Sequence, residues 1–160
     1  MTWLQFQSAY VEGEWKPAFA VHLDKDGRIL ACSDKPGAGL QKVDGFLLPG
    51  IPNGHSHSFQ FAMAGMSEHG TAQGDDFWMW REQMYKLALS ISPDQLLAVT
   101  TQLYMGLLTQ GYTSVAEFHY LHHDKNGKAY TQPDLLSEVI MEAAKRSGIQ
   151  LTLIPIYYQQ

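Results

Sequence analysis

Two histidines separated by one residue are the first feature of this sequence that could do chemistry. His55 and His57 lie in IPNGHSHSFQ, residues 51–60, directly after the apolar run GFLLPG. In an extended segment, residues i and i+2 project to the same side, so the two imidazoles could bind one divalent metal ion through neutral ring nitrogens. The same spacing also fits two loop histidines that only satisfy their nitrogens by hydrogen bonds.

A second polar cluster occupies AEFHYLHHD, residues 116–124. Glu117 and His119 stand at the end of a predicted strand, and in a parallel sheet they would point into the same mouth as the first histidine pair. The alternative is that Glu117 is a strand carboxylate satisfied by hydrogen bonds. For His122 and His123 we favour the simpler interpretation, that they are loop residues before the DKNGK turn.

An aromatic helical stretch, DDFWMWREQMY, lies between the two clusters. Its rings, from Phe77, Trp78, Trp80 and Tyr85, are typical of core or lid packing. Arg81 is different because its planar guanidinium can bind a carboxylate with two hydrogen bonds, and could therefore orient an anionic substrate. A surface salt bridge is the alternative for this arginine.

The elements that must position these residues change character near residue 49. Before it, WLQFQSAYV, AFAVHLD and RILACS read as short strands, and a DG turn at Asp24 to Gly27 indicates a hairpin. This part is predicted to be antiparallel β structure, residues 1–48. The single cysteine, Cys32, excludes an internal disulfide, and its place in RILACS predicts a buried strand residue.

Residues 49–160 repeat one pattern of helix, glycine and strand. Ser92 and Gln95 predict a capping box, followed by an apolar stripe of Leu96, Val99, Leu103 and Leu107, then Gly111 and the strand TSVAEF, predicted to be covered on both faces. The second copy begins with Thr131 as the cap and ends with the strand IQLTLIPIYY. With FLLPGI as the first strand, the series predicts an α/β fold with a parallel sheet.

Composition excludes several classes of function. A formal charge of −5 and the lack of a Lys/Arg run interleaved with aromatics argue against nucleic acid as a partner. No window approaches the roughly 20 apolar residues of a membrane helix, and the N-terminus lacks the pattern of a signal peptide. We therefore expect no membrane partner and a cytoplasmic location.

Three segments together resemble formimidoylglutamate deiminase of the metal-dependent amidohydrolase superfamily. They are LLPGIPNGHSHSFQFAMAGMSE, DDFWMWREQMY and GYTSVAEFHYLHHD, within a likeness that runs from about Leu47 to Tyr158 and corresponds to the N-terminal third of that family. The resemblance implies the first β/α units of a (β/α)₈ barrel and part of a β-sandwich domain. It also implies a reaction in which water replaces the imino nitrogen of N-formimidoyl-L-glutamate, giving N-formyl-L-glutamate and ammonia.

The resemblance assigns roles to individual positions. His55 and His57 match the first two ligands of one divalent metal ion, expected to be zinc, and Gln60, Arg81 and Tyr120 match residues that bind the small-molecule substrate. The complete protein is expected to be a homo-oligomer. The resemblance also implies that the remaining metal ligands, two histidines and an aspartate on later strands, lie beyond Gln160. The catalytic residues that transfer protons, a histidine and acidic residues on later strands, are expected beyond Gln160 as well.

Two departures and one shortfall limit the resemblance. Phe61 stands where an arginine is expected and Gly54 where a leucine is usual. A complete barrel takes about 250 residues, so this chain is expected to hold only part of one. Two alternatives therefore stay open: a related amidohydrolase that acts on another amidine or on a nucleobase, and a non-catalytic fragment.

Overall fold

The chain divides into two compact units, residues 1–49 and residues 50–160. The structure is a computed structural model that describes residues 2–66 and 77–157. Asp75 and Asp76 of the aromatic segment, and Tyr158 at the end of the predicted third strand, lie outside the described residues. No helix in the described ranges is long and apolar enough to cross a membrane.

The first unit is a five-stranded sheet. Its long strand β1 pairs antiparallel with β2 and β3 and parallel with β5, while β3 pairs antiparallel with β4. Ala9, Phe19 and Val21 form its buried core. The strands are β1 (Thr2–Val11), β2 (Glu14–Pro17), β3 (Ala20–Leu23), β4 (Ile29–Ser33) and β5 (Leu40–Leu47). The predicted antiparallel strands are confirmed, and the parallel strand β5 was not anticipated.

The hairpin between β3 and β4 turns as the DG signal predicts. Asp24 accepts the backbone N–H groups of Asp26 and Arg28 through Oδ1, at 2.8 and 2.9 Å, and Gly27 takes the positive φ of 79° that the turn requires. Cys32 lies in β4 as predicted, but its side chain is exposed, so the prediction of a buried cysteine is wrong. The reason is that β4 pairs only with β3 among the described residues and carries little packing on its faces.

The second unit is a parallel three-stranded sheet with helices between its strands. The sheet order is β6-β7-β8, with both pairings parallel, so the predicted α/β class with a parallel sheet is confirmed. Its elements are β6 (Ile51–Ser56), a 3₁₀ segment (Ser58–Met63), α1 (Phe77–Ala88), α2 (Pro93–Thr109), β7 (Tyr112–His119), α3 (Leu135–Ser147) and β8 (Gln150–Pro155).

The first strand of this sheet is not the one that the sequence predicted. Phe46 and Leu47 of FLLPGI are the last two residues of β5 in the first unit, and Leu48 follows that strand. The parallel strand is the more polar IPNGHS, Ile51–Ser56, so His55 lies within the strand and His57 directly after it. Hydrophobicity misled the assignment because most of β6, His55 included, is exposed or only half-buried in this chain.

Helix α2 begins as predicted but buries a different stripe. Ser92 Oγ accepts the N–H of Gln95 at 3.2 Å, and the Gln95 side chain accepts the N–H of Ser92 at 2.9 Å, which completes the capping box. The fully buried positions are Leu96, Thr100 and Tyr104, one helical turn apart, while Val99, Leu103 and Leu107 are only partly buried. Two polar residues therefore occupy the face that packs inward.

Helix α3 begins later than predicted. Its first residue is Leu135, its N-cap is Asp134 without a side-chain capping bond, and Thr131 does not cap it. A turn comes first, in which the N–H of Leu135 bonds to the carbonyl of Gln132 at 3.1 Å. The helix ends at Gly148, as predicted, in the left-handed conformation that glycine adopts at helix ends.

Candidate active site

A bulge in β6 decides which face of the sheet the two histidines share. Asn53 pairs with Val115 and Ser56 with Glu117, so β6 has one more residue than β7 over this stretch. The extra residue places His55 and His57 on the face of Phe118, whose ring centre lies 4.3 Å from that of His55. The two histidine Nε2 atoms are 2.9 Å apart, which confirms the predicted same-side geometry.

One neighbour fixes the protonation pattern of His57. Its Nδ1 lies 3.0 Å from the carbonyl oxygen of Phe118, and a carbonyl can only accept, so Nδ1 carries the proton. The Nε2 atom of a neutral His57 then carries a lone pair, which is directed at His55. Metal-binding histidines are held in this way by a backbone carbonyl on the other ring nitrogen.

The geometry of the pair fits a divalent metal ion such as zinc. Nitrogens that occupy two tetrahedral positions on one zinc ion, each about 2.0–2.1 Å from it, are about 3.3 Å apart. The observed 2.9 Å between the Nε2 atoms needs only a small rotation of either ring to match that spacing. No group of three or more His, Cys, Asp or Glu side chains that could hold a metal occurs among the described residues, so this part of the chain offers a pair of ligands.

Glu117 and His119 do not point into the mouth that holds the histidine pair, contrary to the prediction. Side chains alternate along β7, and Glu117 and His119 share the buried face with Val115, whereas Phe118 lies on the face of His55. Tyr120 continues on the histidine side, with its ring stacked on that of His57 at 4.8 Å. The prediction failed because it took nearness to the strand end, without the alternation of side chains, as a guide to direction.

Beneath the histidine loop, Glu117 joins a buried polar network that the sequence analysis missed. Its Oε1 accepts the backbone N–H of Ser58 at 2.6 Å and its Oε2 accepts the hydroxyl of Tyr104 at 3.2 Å. The hydroxyl of Thr100 in turn donates to Ser58 Oγ at 3.0 Å. Burial, and then the Glu117 carboxylate, raise the pKa of Tyr104, so that it stays a donor. The available signal was the spacing of Thr100 and Tyr104, which lie four residues apart and four and eight residues after Leu96 on α2.

The remaining histidines of the second cluster take separate roles. His119 is buried, and its Nε2 has no hydrogen-bond partner among the described residues. Burial, with a contribution from His122, lowers the pKa of His119 to about 4, against a weaker opposing bond to the backbone of Leu121. His122 Nε2 donates to the carbonyl of Ile156 at 2.9 Å, and His123 is exposed, in agreement with the preferred loop interpretation.

A cavity beside the histidine pair collects the three residues assigned to substrate binding. It has a volume of about 580 Å³, and Gln60, Arg81 and Tyr120 line it together with His57. Gln60 comes from the 3₁₀ segment and contacts Met84 Sδ through Nε2 at 3.3 Å. The Tyr120 hydroxyl lies 3.5 Å from His57 Nε2, at the end of the cavity where the two histidines meet.

Two aromatic residues of α1 hold Arg81. Its Nε–H donates to the Tyr85 hydroxyl at 2.9 Å, and its guanidinium carbon lies 5.2 Å from the centre of that ring and 5.5 Å from that of Trp78. Trp78 and Tyr85 stand three and four residues from Arg81, the spacing at which side chains meet on a helix. The sequence analysis assigned these rings to packing and missed their contact with the arginine.

The chain is similar in sequence and in structure to known proteins. No protein-family model matches the chain. Over 145 residues, 90% of this chain, its sequence is 48% identical to the formimidoylglutamate deiminase of Pseudomonas aeruginosa, of which the match covers 32%. All of the chain matches the crystal structure of an amidohydrolase from Brucella melitensis, with a TM-score of 0.91, 34% identity and 36% of that chain covered. The chain is therefore similar in sequence and fold to the N-terminal third of these two proteins.

The amidohydrolase fold extends to more distant structures. A crystal structure of atrazine chlorohydrolase TrzN from Arthrobacter aurescens, complexed with zinc, matches 97% of the chain with a TM-score of 0.75 and 18% identity, and 35% of its own length is covered. At that identity the likeness is one of fold. The chain spans about a third of the length of each of these relatives, so the predicted resemblance and fold class are confirmed for an N-terminal portion.

Proposed function

We propose that this chain provides the first metal ligands and one wall of the substrate pocket of an enzyme that hydrolyses N-formimidoyl-L-glutamate to N-formyl-L-glutamate and ammonia. One observation carries the proposal: Gln60, Arg81 and Tyr120, three positions far apart in the sequence, line one cavity next to His57. The 48% identity to a formimidoylglutamate deiminase supports the same substrate.

His55 and His57 would hold the metal ion through their facing Nε2 atoms. Zinc fits this donor set, and the zinc complex of atrazine chlorohydrolase TrzN, which shares the fold, supports the choice. When bound, such an ion supplies Lewis-acid activation of water for attack on an electrophilic carbon. The Phe118 carbonyl keeps His57 in the tautomer that leaves Nε2 available.

The cavity walls suit a dicarboxylate that carries an amidine. The Arg81 guanidinium, held between two rings, can bind a carboxylate with two hydrogen bonds. The Tyr120 hydroxyl lies close to His57 Nε2 and would donate a hydrogen bond to the polar formimidoyl end of the substrate. The Gln60 amide can donate to, or accept from, the polar backbone of the substrate.

Arg81 also favours formimidoylglutamate over the substrate of the leading alternative, a related amidohydrolase that acts on a nucleobase. A neutral nucleobase has no carboxylate to pair with a fixed cation. Formimidoylglutamate has two, and the chain's net charge of −5 provides no general positive field to attract them. The second alternative, a non-catalytic fragment, would not require His57, Arg81 and Tyr120 to line one cavity.

A chimera tests the proposal. Residues 1–160 of this protein would replace the corresponding first third of the Pseudomonas deiminase. Two quantities would be measured: ammonia release from formimidoylglutamate and from nucleobases, and the amount of metal bound to the protein. We expect turnover of formimidoylglutamate, and loss of bound metal and of most activity in both His55→Ala and His57→Ala, because the metal activates the nucleophile. His22→Ala, in the first unit, is the matched control. Equal metal content in all variants, or turnover of nucleobases alone in a folded chimera, would contradict the proposal.

A further inference from the structure

Glu117 is a carboxylate in an unusual place. Only 1% of its surface is exposed, and no Lys, Arg or His side chain lies within ion-pair distance of it among the described residues. Burying an ionised carboxylate is unfavourable unless hydrogen bonds compensate for the lost water. Both oxygens of Glu117 have such bonds, one to the backbone of Ser58 and one to Tyr104.

The bonds of Glu117 act on the loop that carries the histidines. Glu117 holds the N–H of Ser58, and the next residue of β7, Phe118, holds Nδ1 of His57, the residue before Ser58. Glu117 also pairs with Ser56 in the parallel ladder. Two consecutive residues of β7 thus bind two consecutive residues after β6, one through a side chain and one through the backbone.

The second bond of Glu117 keeps the carboxylate itself in place. Tyr104 is fully buried on α2 and donates to Oε2, while Thr100, one turn earlier on the same helix, donates to Ser58 Oγ. Helix α2 therefore supports both ends of the Glu117 to Ser58 contact. Because Ser58 is held through both its backbone N–H and its side chain, the peptide that joins it to His57 has little freedom to rotate.

We propose that Glu117 is a positioning residue for the histidine pair: by holding the backbone of Ser58 it keeps His57 on the Phe118 carbonyl, with Nε2 directed at His55. Only the expected effect on zinc affinity rests on the proposed function, in which the two histidines bind a metal ion. The hydrogen bonds that the positioning role invokes join residues of this chain alone.

The tautomer of His57 is the direct test. Long-range ¹H–¹⁵N NMR spectra of the 160-residue chain, at a pH where imidazole is neutral, report which ring nitrogen carries the proton. We expect the Nδ1–H form at His57 in wild type and in Glu117→Gln, whose amide oxygen can still accept from Ser58. We expect Glu117→Leu to lose that preference, and its zinc affinity to fall about tenfold, the low end of the effect of removing such supporting groups.

Two further variants keep the test decisive if Glu117→Leu does not fold. Ser58→Pro removes the N–H that Glu117 accepts at the first residue of a 3₁₀ segment, where proline is compatible with the backbone, and should act like Glu117→Leu. Tyr104→Phe keeps the Ser58 bond and should keep the Nδ1–H form. An unchanged His57 tautomer in folded Ser58→Pro or Glu117→Leu would overturn the positioning role.

The same measurements separate this inference from the proposed function. If wild type shows the Nδ1–H form at His57 but binds zinc no better than His57→Ala, the metal function fails and the tautomer series still decides the role of Glu117. If wild type binds zinc and His57→Ala does not, but Glu117→Leu matches wild type in tautomer and affinity, the metal function stands and the positioning role is wrong.

Discussion

Arg81 shows how a single side chain can be prepared for an anionic ligand. Tyr85 accepts its Nε–H, and the rings of Tyr85 and Trp78 lie against its guanidinium, so much of its rotational freedom is already restricted. A preorganised guanidinium loses less entropy when it binds a carboxylate than a free one would. The aromatic segment therefore holds Arg81 at the cavity. The core-packing interpretation of its rings is wrong for Phe77 and Trp78, whose side chains are exposed.

We expect Arg81→Lys, made in the chimera, to lower kcat/KM for formimidoylglutamate by an amount equivalent to about 2 kcal/mol of transition-state stabilisation. Lysine keeps the charge but cannot make the two-fold hydrogen bond or stack on the rings. Lys86→Arg, an exposed change on the same helix, is the control and should leave kcat/KM unchanged. Wild-type kcat/KM in Arg81→Lys would remove Arg81 from the substrate site.

The lowered pKa of His119 predicts that the folded protein becomes less stable in acid. Its folded pKa of about 4 is below the ordinary value of 6.5, so at pH values between these two the unfolded chain binds a proton that the folded protein does not. The contribution of His119 to the free energy of unfolding is complete above about pH 6.5 and is lost as the pH falls toward 4, by up to about 3 kcal/mol. Stability should therefore fall with acidification over that window.

Denaturant unfolding of the 160-residue chain across that pH range would test the effect. We expect His119→Leu to flatten the dependence, because leucine removes the buried imidazole that must charge on unfolding. His123→Leu, which changes an exposed histidine of the same loop, should keep the wild-type slope. Parallel slopes in wild type and His119→Leu would show that His119 is not the group responsible.

At the scale of elements, the site depends on the pairing of β6 with β7. The extra residue between Asn53 and Ser56 reverses the side-chain alternation just before the histidines, and without it His55 and His57 would face the helices. At the start of the same strand, the backbone of Gly50 lies close to the side chain of Thr113. A Cβ atom added at Gly50 would overlap three side-chain atoms of Thr113, the residue after the first of β7.

We expect Gly50→Ala to lower the free energy of unfolding by about 1–3 kcal/mol, the usual cost of forcing a methyl group into filled space. Gly54→Ala is the matched control, since a Cβ there would meet nothing within 4 Å. Thr113→Gly should recover part of the loss in a double-mutant cycle, with a coupling of about 1 kcal/mol. Equal stability of Gly50→Ala and Gly54→Ala would show that the strands can separate at this point without penalty.

At the scale of the whole molecule, the described residues bring together the two proposed metal ligands and several walls of the proposed substrate pocket. A catalytic zinc ion usually has three protein ligands and a water molecule, and the described residues bring two histidines together. The cavity has walls from the 3₁₀ segment, from α1 and from the loop after β7. The chain covers about a third of the length of its longer relatives.

The 160-residue chain by itself, with zinc added, is expected to release no ammonia from formimidoylglutamate above the rate of a protein-free control. It should bind zinc only weakly, because two imidazoles give a site with few ligands. Coupled-enzyme detection of ammonia, with the chimera as the positive control, measures the first point, and calorimetric titration with zinc measures the second. Turnover at an ordinary enzyme rate would show that these residues build a complete site alone.

The sequence by itself determined the local features of this protein and its resemblance to the deiminases. The capping box at Ser92, the DG turn at Asp24 and the same-side placement of His55 and His57 follow from rules that act within a few residues. The three motifs shared with formimidoylglutamate deiminase identified the three cavity residues before any contact was known. Local chemistry was sufficient for each of these because the interacting groups are close in the chain or are matched position by position.

Only the tertiary structure decided which face each strand residue occupies and which strand carries the histidines. The apolar letters before Pro49 suggested the wrong strand, because β6 is set by pairing with β7, some 60 residues away, and not by its own hydrophobicity. Glu117 was assigned to the wrong side for the same reason: a shift of one residue in register reverses every side chain of a strand. The buried contacts of Glu117 with Ser58 and Tyr104 likewise join three separate elements, and no local pattern could specify their meeting.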